Sequence, residues 1–419
     1  MIGGNSLVLT APQTNTTTTL VANPLSVVYG QGTGFTFSAT LAGEPGSTGL
    51  PTGASVFFEV FAGNSAAGTL VVSETVAVNA SGVAVYNPQL DANEVFGAGQ
   101  YFVRASYAGT ATFSPSIATT VYTVAKGNTN FQMTPNNASL VLGEELTVAV
   151  TISPRTPAGQ LATSLLPSGT VSMRINGVNV ATGPFTLNSD GVANVSLGAL
   201  PVGTHVIDLT YNGDTNYNTV ASTPASRLVV TVRKASANFS LESSLQTATF
   251  GEPVTFTATL NPVAPATAIP SGVVVFRRGS AAGVVLGTGS INSNGVATLT
   301  LSNLPVGNQT VFAVWAGDTN FVAPPAVSTS VNITKVGTST VLSSSANPSN
   351  PGTSVALRAD VTASNGSTPT GSVRFVNADT GAILGTASVN APGRAVLNVT
   401  FQTGTYNIRA EYLGNANLS

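Results

Sequence analysis

The chain contains no cysteine, one histidine and one tryptophan, and charged residues make up only 7% of its 419 residues. Without cysteine, disulfides contribute nothing to stability, and the redox compartment cannot be inferred from them. Neither a catalytic triad nor a zinc site can be assembled around the lone His205. No acid–base pair, activated nucleophile or metal-ligand cluster occurs at a recognisable spacing. The sequence therefore predicts no catalytic residue, no metal site, no cofactor and no enzymatic activity.

Charge and long apolar runs are scarce as well. Lysine and arginine number 14 against 16 acidic residues, a net charge of −2, and no basic run could neutralise a series of phosphates. Nucleic acid is therefore not expected as a partner. No stretch approaches the roughly 18 apolar residues of a membrane span, and residues 1–9 lack the regions of a signal peptide. The near-zero net charge leaves little self-repulsion, which permits lateral association.

Four short landmarks recur in the same order along the chain, which indicates internal repeats. Aromatic-x-Gly turns have glycines 104, 104 and 97 residues apart, at Gly109, Gly213, Gly317 and Gly414. Pro-x-Gly turns precede apolar strands at Pro51, Pro167, Pro270 and Pro369. Gly-x-Ala turns open another strand at Gly82, Gly191, Gly295 and Gly393. The fourth landmark ends in glycine at Gly30, Gly143, Gly251 and Gly352. One repeat is therefore about 100 residues long.

Between these landmarks the sequence alternates apolar and polar residues with a period of two, the pattern of half-buried strands. In residues 406–412 the alternation places Tyr406, Ile408, Ala410 and Tyr412 on one face and polar side chains on the other. Each repeat offers about seven such strands. An all-β fold of tandem Greek-key β-sandwiches is therefore predicted.

The three lysines of the chain, Lys126, Lys234 and Lys335, mark the junctions between repeats. They divide the chain into residues 15–126 (repeat 1), 127–234 (repeat 2), 235–335 (repeat 3) and 336–419 (repeat 4), preceded by residues 1–14. Because the links are short, the repeats are expected to form an extended rod.

Three stretches carry a resemblance to a known family: PSGTVSMRINGV, LPVGTHVIDLTYNGDTNY and LPVGNQTVFAVWAGDTNF. They resemble the bacterial Ig-like repeats of large surface proteins and adhesins, and the likeness spans nearly the whole chain. The resemblance implies immunoglobulin-like sandwiches in a secreted or surface-bound spacer, stalk or filament. It implies an extracellular or cell-surface location and brings no catalytic residues.

Three sets of side chains invite a functional interpretation, and a structural one is favoured for each. Trp315 occupies the position of Tyr107, Tyr211 and Tyr412, so a core role is favoured over a sugar-stacking platform. Asp214 and Asp318 are expected to form hydrogen-bonded Asx turns and not calcium sites, because two of the four repeats lack the aspartate. The lysines could form isopeptide crosslinks, but their position at junctions argues against this.

The two ends of the chain carry complementary irregularities. Repeat 4 lacks the last strand of the other repeats, which leaves an unpaired sheet edge. Residues 6–15 align with residues 119–128, the last strand and junction of repeat 1, so residues 1–14 contain an orphan terminal strand. Either the chain is a segment of a longer array, or this strand completes repeat 4 of a neighbouring molecule. The expected donor residues are Leu7, Val8, Leu9, Thr10 and Ala11, and the expected acceptor residues are Tyr406, Ile408, Ala410, Tyr412 and Leu418.

The favoured function is a structural component of an extracellular filament or cell-surface stalk. Its partner is then another copy, joined head to tail, or a neighbouring Ig-like domain, because a donor-strand contact does not close. The alternative is an adhesin segment, cut from a longer array, that binds a glycan or a surface protein. That alternative requires an exposed aromatic cluster or a long irregular loop in one repeat.

Overall fold

A computed structural model describes residues 12–29, 34–47, 49, 51, 53–88, 96–155 and 166–419. All regular elements among these residues are β-strands, and they form eight sheets that enclose four apolar cores. The predicted all-β class of tandem sandwiches is confirmed. Strand contacts divide the chain into two units, one with the sandwiches of repeats 1 and 2, the other with those of repeats 3 and 4 and residues 141–144. Within the described part, no helix has the length and hydropathy needed to cross a membrane.

Repeat 1 contains a three-stranded and a five-stranded sheet, ordered β1-β3-β6 and β2-β8-β7-β4-β5. Its strands are β1 (Thr16–Asn23), β2 (Ser26–Val28), β3 (Thr36–Gly43), β4 (Ser55–Ala62), β5 (Leu70–Ala77), β6 (Val83–Tyr86), β7 (Gly99–Tyr107) and β8 (Ser116–Ala125). The short β2 pairs in parallel with the last strand β8, and the other pairs are antiparallel.

Repeat 2 has the sheets β9-β11-β15 and β10-β18-β16-β12-β13, with β14 beside β12 and β17 beside β16. Its strands are β9 (Thr129–Pro135), β10 (Ser139–Val141), β11 (Glu145–Pro154), β12 (Thr170–Ile175), β13 (Val178–Asn179), β14 (Phe185–Thr186), β15 (Val192–Ala199), β16 (Gly203–Tyr211), β17 (Val220–Ala221) and β18 (Leu228–Arg233).

Repeat 3 repeats the arrangement of repeat 1, with sheets β19-β21-β24 and β20-β26-β25-β22-β23. Its strands are β19 (Ala237–Ser243), β20 (Thr247–Thr249), β21 (Val254–Pro262), β22 (Val273–Arg278), β23 (Val284–Ser290), β24 (Val296–Leu301), β25 (Gly307–Trp315) and β26 (Val327–Thr334). Here too the short strand β20 pairs in parallel with the last strand β26.

Repeat 4 has two three-stranded sheets, β27-β28-β31 and β30-β29-β32. Its strands are β27 (Thr338–Ser344), β28 (Ser354–Ala363), β29 (Ser372–Asn377), β30 (Ile383–Ser388), β31 (Arg394–Thr400) and β32 (Ile408–Tyr412). The structure describes all of residues 336–419, and this repeat contains neither a last strand nor the short strand that pairs with it elsewhere. Without a last strand, the backbone of the short strand has no ladder to join.

The aromatic-x-Gly landmark follows a strand in each repeat, because β7, β16, β25 and β32 all end at its aromatic residue. In all four aromatic-x-Gly turns the glycine has a positive φ, between +74° and +82°. A Cβ on Gly213 would lie 2.9 Å from the carbonyl oxygen of Tyr217. Because this conformation and this close approach both require glycine, the repeat spacing can be read from these positions.

The strand before the aromatic-x-Gly turn supplies the centre of each complete core. In repeat 2, Ile207, Leu209 and Tyr211 are at most 1% exposed, and the last strand adds the buried Val230 and Val232. Burying side chains of this size stabilises a fold by about 1.5–3 kcal/mol each. The last strand therefore closes the core as well as the sheet.

One strand of repeat 4 is shorter than the alternation predicts. The alternating pattern begins at Tyr406, but β32 begins at Ile408, and Tyr406 lies before it with 37% exposure and its ring 4.8 Å from that of Phe401. In repeat 2, the residues of β16 before Ile207 pair only with the last strand β18. Because repeat 4 has no such strand, the corresponding residues have no ladder to hold them extended.

Candidate functional site: repeat junctions and an open sheet edge

The turn after β16 is organised around the carboxylate of Asp214. Its Oδ1 accepts hydrogen bonds from the backbone N–H groups of Asn216 and Tyr217, both at 2.7 Å. Its Oδ2 accepts from the backbone N–H of Ser168 at 2.7 Å and from the Ser168 hydroxyl at 2.9 Å. Ser168 belongs to the Pro-x-Gly landmark, so one side chain joins two of the predicted turns.

The other repeats build the same turn with related side chains. Asp318 accepts from Asn320, Phe321 and both donors of Ser271 at 2.8–2.9 Å. In repeat 4, Asn415 accepts two backbone N–H groups through Oδ1 and donates through Nδ2 to the Thr370 hydroxyl. In repeat 1 the Thr110 hydroxyl accepts hydrogen bonds from the backbone N–H groups of Thr112 and Phe113 at 3.3 Å and 3.2 Å.

This geometry matches the expected Asx turn. All four acceptor directions of Asp214 point at N–H or O–H donors of the turn, whereas a calcium ion needs six to eight oxygen ligands. Burial by itself would raise the pKa of Asp214, but the hydrogen bonds from Ser168, Asn216 and Tyr217 outweigh it and lower the pKa below its usual range. The carboxylate of Asp318 is shifted in the same direction by the same kinds of contact. Among the described residues, no cluster of three potential metal-ligating side chains occurs.

Each junction lysine is bound to the turn of the repeat that follows it. Lys126, Lys234 and Lys335 donate through Nζ to the backbone oxygens of Asp214, Asp318 and Asn415 at 2.5–2.6 Å. Gln13 makes the corresponding contact in repeat 1, with Nε2 2.6 Å from the oxygen of Thr110. The contact thus needs a donor on a long side chain, and glutamine meets that need as lysine does.

Within the first unit, the turn of repeat 2 also packs against repeat 1. The rings of Tyr29 and Tyr217 meet edge to face with centroids 5.4 Å apart, and the backbone N–H of Ala98 donates to Asn216 Oδ1 at 2.9 Å. Burial, together with the nearby Tyr29 and the charge of Asp214, raises the pKa of Tyr217 to about 12. The landmark residue Tyr29 therefore contributes to a repeat junction.

The lone tryptophan and the lone histidine are both structural. Trp315 is 2% exposed, and its indole N–H donates to the backbone oxygen of Ser271 at 2.9 Å, as the Tyr211 hydroxyl does to Ser168. His205 is 6% exposed, with Nε2 2.8 Å from the Pro201 oxygen and Nδ1 3.1 Å from Asn176 Nδ2. These contacts use the polar atoms of both rings within the sandwich.

The acceptor residues surround the open edge of repeat 4. Strand β32 pairs with β29 on one side, and no described strand pairs with its other side. Its apolar residues Ile408, Ala410 and Tyr412 are all partly exposed, whereas their counterparts in repeats 1–3 are at most 2% exposed. Leu418 is buried at 3% and forms a parallel bridge with Val336. The partly exposed apolar residues of β32 therefore lie where the other repeats carry their last strand.

The donor residues Leu7, Val8, Leu9, Thr10 and Ala11 lie outside the described residues. The adjoining positions fix how this segment aligns in sequence with the last strands of the other repeats, because Gln13 and Thr14 make the contacts of Lys126 and Gly127 in the next repeat. Counting back from Gln13, Leu9 corresponds to Tyr122, Val230 and Val331, and Ala11 to Val124, Val232 and Ile333, all of them buried.

Sequence reasoning missed two features of these sites. The role of Gln13 could have been found from its spacing before β1, which equals that of Lys126 before β9. The exposed Phe57 and the partly buried Phe102 of repeat 1 were missed because alternation was not compared between repeats. That comparison shows aromatic residues on the solvent face in this repeat.

Comparison with known protein families identifies the family of these repeats. A family model described as bacterial Ig-like domain (group 3) matches residues 133–233, 241–334 and 342–419, which together cover more than half of the chain. No match was found among curated proteins.

Several solved structures are similar to the chain at low identity. Invasin, a bacterial integrin-binding protein, is 13% identical with a TM-score of 0.37, over 94% of this chain and 76% of that one. The Escherichia coli adhesin FdeC is 20% identical with a TM-score of 0.23, over 78% of this chain and 99% of that one. The fibronectin(III)-like modules of Clostridium thermocellum CbhA are 15% identical with a TM-score of 0.20, over 48% of this chain and 95% of theirs.

Proposed function

Since the chain belongs to the bacterial Ig-like domain family (group 3), we propose that it is a structural segment of an extracellular filament or cell-surface stalk. The repeats serve as spacers, and Lys126, Lys234 and Lys335 each bond to the turn of the repeat that follows. Copies join head to tail when residues 7–11 of one molecule pair with residues 404–408 of the next, as residues 228–232 pair with residues 203–207 in repeat 2. The alternative function is that of an adhesin segment, which binds a glycan or a surface protein.

The observation that carries the head-to-tail proposal is the open edge of β32. Ile408, Ala410 and Tyr412 stand in the positions of fully buried residues, so the edge offers both unpaired backbone groups and uncovered apolar surface. An added strand would satisfy both, as in known cases of strand addition. In this register Leu9 would lie opposite Tyr406 and Ala11 opposite Gly404, as Val230 and Val232 lie opposite His205 and Gly203 in repeat 2.

The proposal also explains what would become of Tyr406. In repeats 1–3 the equivalent residues, Tyr101, His205 and Gln309, lie within strands that pair with the last strand. A donor strand would supply that ladder, so β32 should lengthen to include Tyr406. Completed molecules should therefore show slower amide exchange at residues 404–407 than molecules with an open edge.

The experiment compares the whole chain with variants by electron microscopy and analytical ultracentrifugation over a range of concentrations. Deleting residues 2–11 should abolish concentration-dependent rods while keeping Gln13 and Thr14 in their contacts. Leu9→Asp should act like the deletion because Leu9 faces the core. Val8→Asp is the matched control, since Val8 faces solvent in this register and should leave the rods intact.

A second arm fills the acceptor in the same molecule. Appending residues 323–335 after Ser419 supplies repeat 4 with the last strand of repeat 3 at its natural spacing, because Leu418 corresponds to Phe321. This chain should remain monomeric. Rods that survive either the deletion or the appended strand, or equal effects of Leu9→Asp and Val8→Asp, would refute head-to-tail strand completion.

A further inference from the structure

The five-stranded sheet of repeat 1 carries an apolar row across its solvent face. Cross-strand pairing aligns Leu70, Phe61, Phe102 and Val121 in one line over β5, β4, β7 and β8. A parallel line two rows away contains Phe57 and Ile117. Leu70, Val121, Phe57 and Ile117 are 41–64% exposed, Phe102 is partly buried, and Phe61 is buried with 9% exposure. We call these six residues the repeat 1 face.

The other repeats do not carry aromatic residues at these positions. In every repeat a valine pairs with the aromatic residue of the aromatic-x-Gly landmark, namely Val56, Val171, Val274 and Val373. Equivalent positions of the four repeats are found by counting residues from this pair. In repeats 2, 3 and 4, the position of Phe57 holds Ser172, Val275 and Arg374, that of Phe61 holds Asn176, Gly279 and Ala378, and that of Phe102 holds Val206, Thr310 and Asn407. The face is therefore not required by the sandwich itself.

Repeat 1 is also the repeat that the family model does not match, since the matched residues begin at 133. Three aromatic residues gained on one solvent face, in the divergent repeat, indicate a surface with its own role. Exposed apolar patches of this kind mark interaction sites.

A single ion pair lies in the middle of the repeat 1 face. Arg104 donates through Nε and Nη2 to Glu59 Oε2 at 2.7 Å and 2.6 Å, and its guanidinium lies 5.4 Å from the centre of the Phe61 ring. The pair occupies the line between the two apolar rows, because Glu59 and Arg104 face each other across β4 and β7. The face therefore combines one apolar row, a second row in which Ser106 lies between Phe57 and Ile117, and one balanced charge pair.

This chemistry suits a protein surface better than a sugar. The six side chains of the repeat 1 face carry no hydrogen-bonding group, and the charged groups between its rows, Glu59 and Arg104, already bond to each other, so a glycan laid over the rows would leave hydroxyls without partners. Aromatic residues together with arginine are instead typical of the centre of protein interfaces. The chain's net charge of −2 also leaves little repulsion between two copies.

We propose that the repeat 1 face binds the same face of a second copy of this chain. A two-fold axis parallel to the strands, between β4 and β7, sets β4 of one copy over β7 of the other. Glu59 then faces Arg104 of the second copy, and Arg104 faces Glu59 of the second copy. In the same way, Phe61 of each copy faces Phe102 of the other, so the apolar rows of the two copies cover each other. The face is thus self-complementary in charge and in shape, as a two-fold interface must be.

The dimensions indicate a weak contact. Four strands about 4.8 Å apart and five residues of about 3.4 Å each give a face of roughly 300 Å² per copy. This is below the area of about 800 Å² per partner typical of stable complexes. The pairing therefore contributes where many copies lie side by side, and it closes at two molecules, unlike a head-to-tail series.

The test measures self-association of the whole chain by sedimentation at high concentration. Phe57→Ser and Phe102→Thr introduce residues that repeats 2 and 3 carry at these positions, so they are compatible with the sandwich. Each should weaken the lateral dimer by roughly tenfold or more, because both rings lie on β4 and β7, the two central strands of the face. Val229→Thr, on the corresponding face of repeat 2, is the matched control and should change nothing.

Exchange of the charge pair tests the geometry. The double variant Glu59→Arg with Arg104→Glu keeps the pair within each molecule and should still pair with itself. Mixed with the unchanged chain, it would bring like charges together, so mixed dimers should be depleted. Formation of mixed dimers at the statistical proportion would overturn the two-fold arrangement.

Two further outcomes would overturn the choice of partner. If Phe57→Ser and Phe102→Thr leave sedimentation unchanged but abolish binding to a glycan array, the face is a sugar site and the adhesin alternative gains support. If they affect neither, the face binds no second copy and no glycan. Loss of rods on deleting residues 2–11 is a separate readout, so failure of head-to-tail assembly and failure of lateral pairing are distinguishable.

Discussion

The carboxylate of Asp318 offers a quantitative test of the turn that links two landmarks of a repeat. Asp318→Ala removes the acceptor for three backbone N–H groups and one hydroxyl. At about 1 kcal/mol for each backbone hydrogen bond, repeat 3 should lose about 3 kcal/mol of stability. Asp318→Asn should lower the stability of repeat 3 by only about 1 kcal/mol. Asn415 shows why, because an asparagine at this position still accepts two backbone N–H groups and donates to the neighbouring hydroxyl.

The assay uses Trp315, the one tryptophan of the chain, which reports on repeat 3 and bonds to the same turn. With a urea slope of about 1.5 kcal/mol/M, the alanine variant should lower the midpoint of the fluorescence transition by about 2 M. Asp214→Ala, the same change in repeat 2, should leave this transition nearly unchanged. Equal losses for alanine and asparagine, or no loss for alanine, would refute the account of the turn. Added calcium should not restore the alanine variant.

Other predictions concern pH and tension. Because the folded-state pKa of Asp318 is lowered, its contribution is present above about pH 4 and is lost as pH falls through the folded pKa; the Trp315 transition should weaken there, and less so in Asp318→Asn. Because the pKa of Tyr217 is raised to about 12, its contribution is full below about pH 10 and is lost as pH rises through 12. Tyr217→Phe, which copies Phe321, should reduce that alkaline loss in unfolding followed by circular dichroism. In single-molecule stretching, repeat 4 should yield at lower force than repeats 1–3, and equal forces would contradict this.

Much of the fold is predictable because its turns have strict local requirements. Glycine is needed at the positive φ of each aromatic-x-Gly turn, so the spacing of Gly109, Gly213, Gly317 and Gly414 gives the repeat length. The alternation of residues 207–211 places Ile207, Leu209 and Tyr211 inward, and they are buried. The core role of Trp315 and the Asx turns at Asp214 and Asp318 follow from the same comparison between repeats.

The remaining features depend on contacts distant in sequence. The start of β32 differs from the alternating pattern because strand length depends on a neighbouring strand, which residues 404–407 do not have. The bond from Lys126 to the turn at Asp214 spans 88 residues, and local pattern does not reveal it. The repeat 1 face arises from pairing of four strands, so its rows become visible only when the register is known.

The parallel pairing of the short strand with the last strand has a mechanical consequence. A force applied to both ends of repeat 3 shears the parallel strands β20 and β26 along each other. The hydrogen bonds between them therefore carry the load together. Strands that are instead pulled apart from one end break their hydrogen bonds one at a time. Repeat 4 lacks this parallel pair within its own residues. Whatever strand fills its open edge would therefore set the tensile strength of repeat 4.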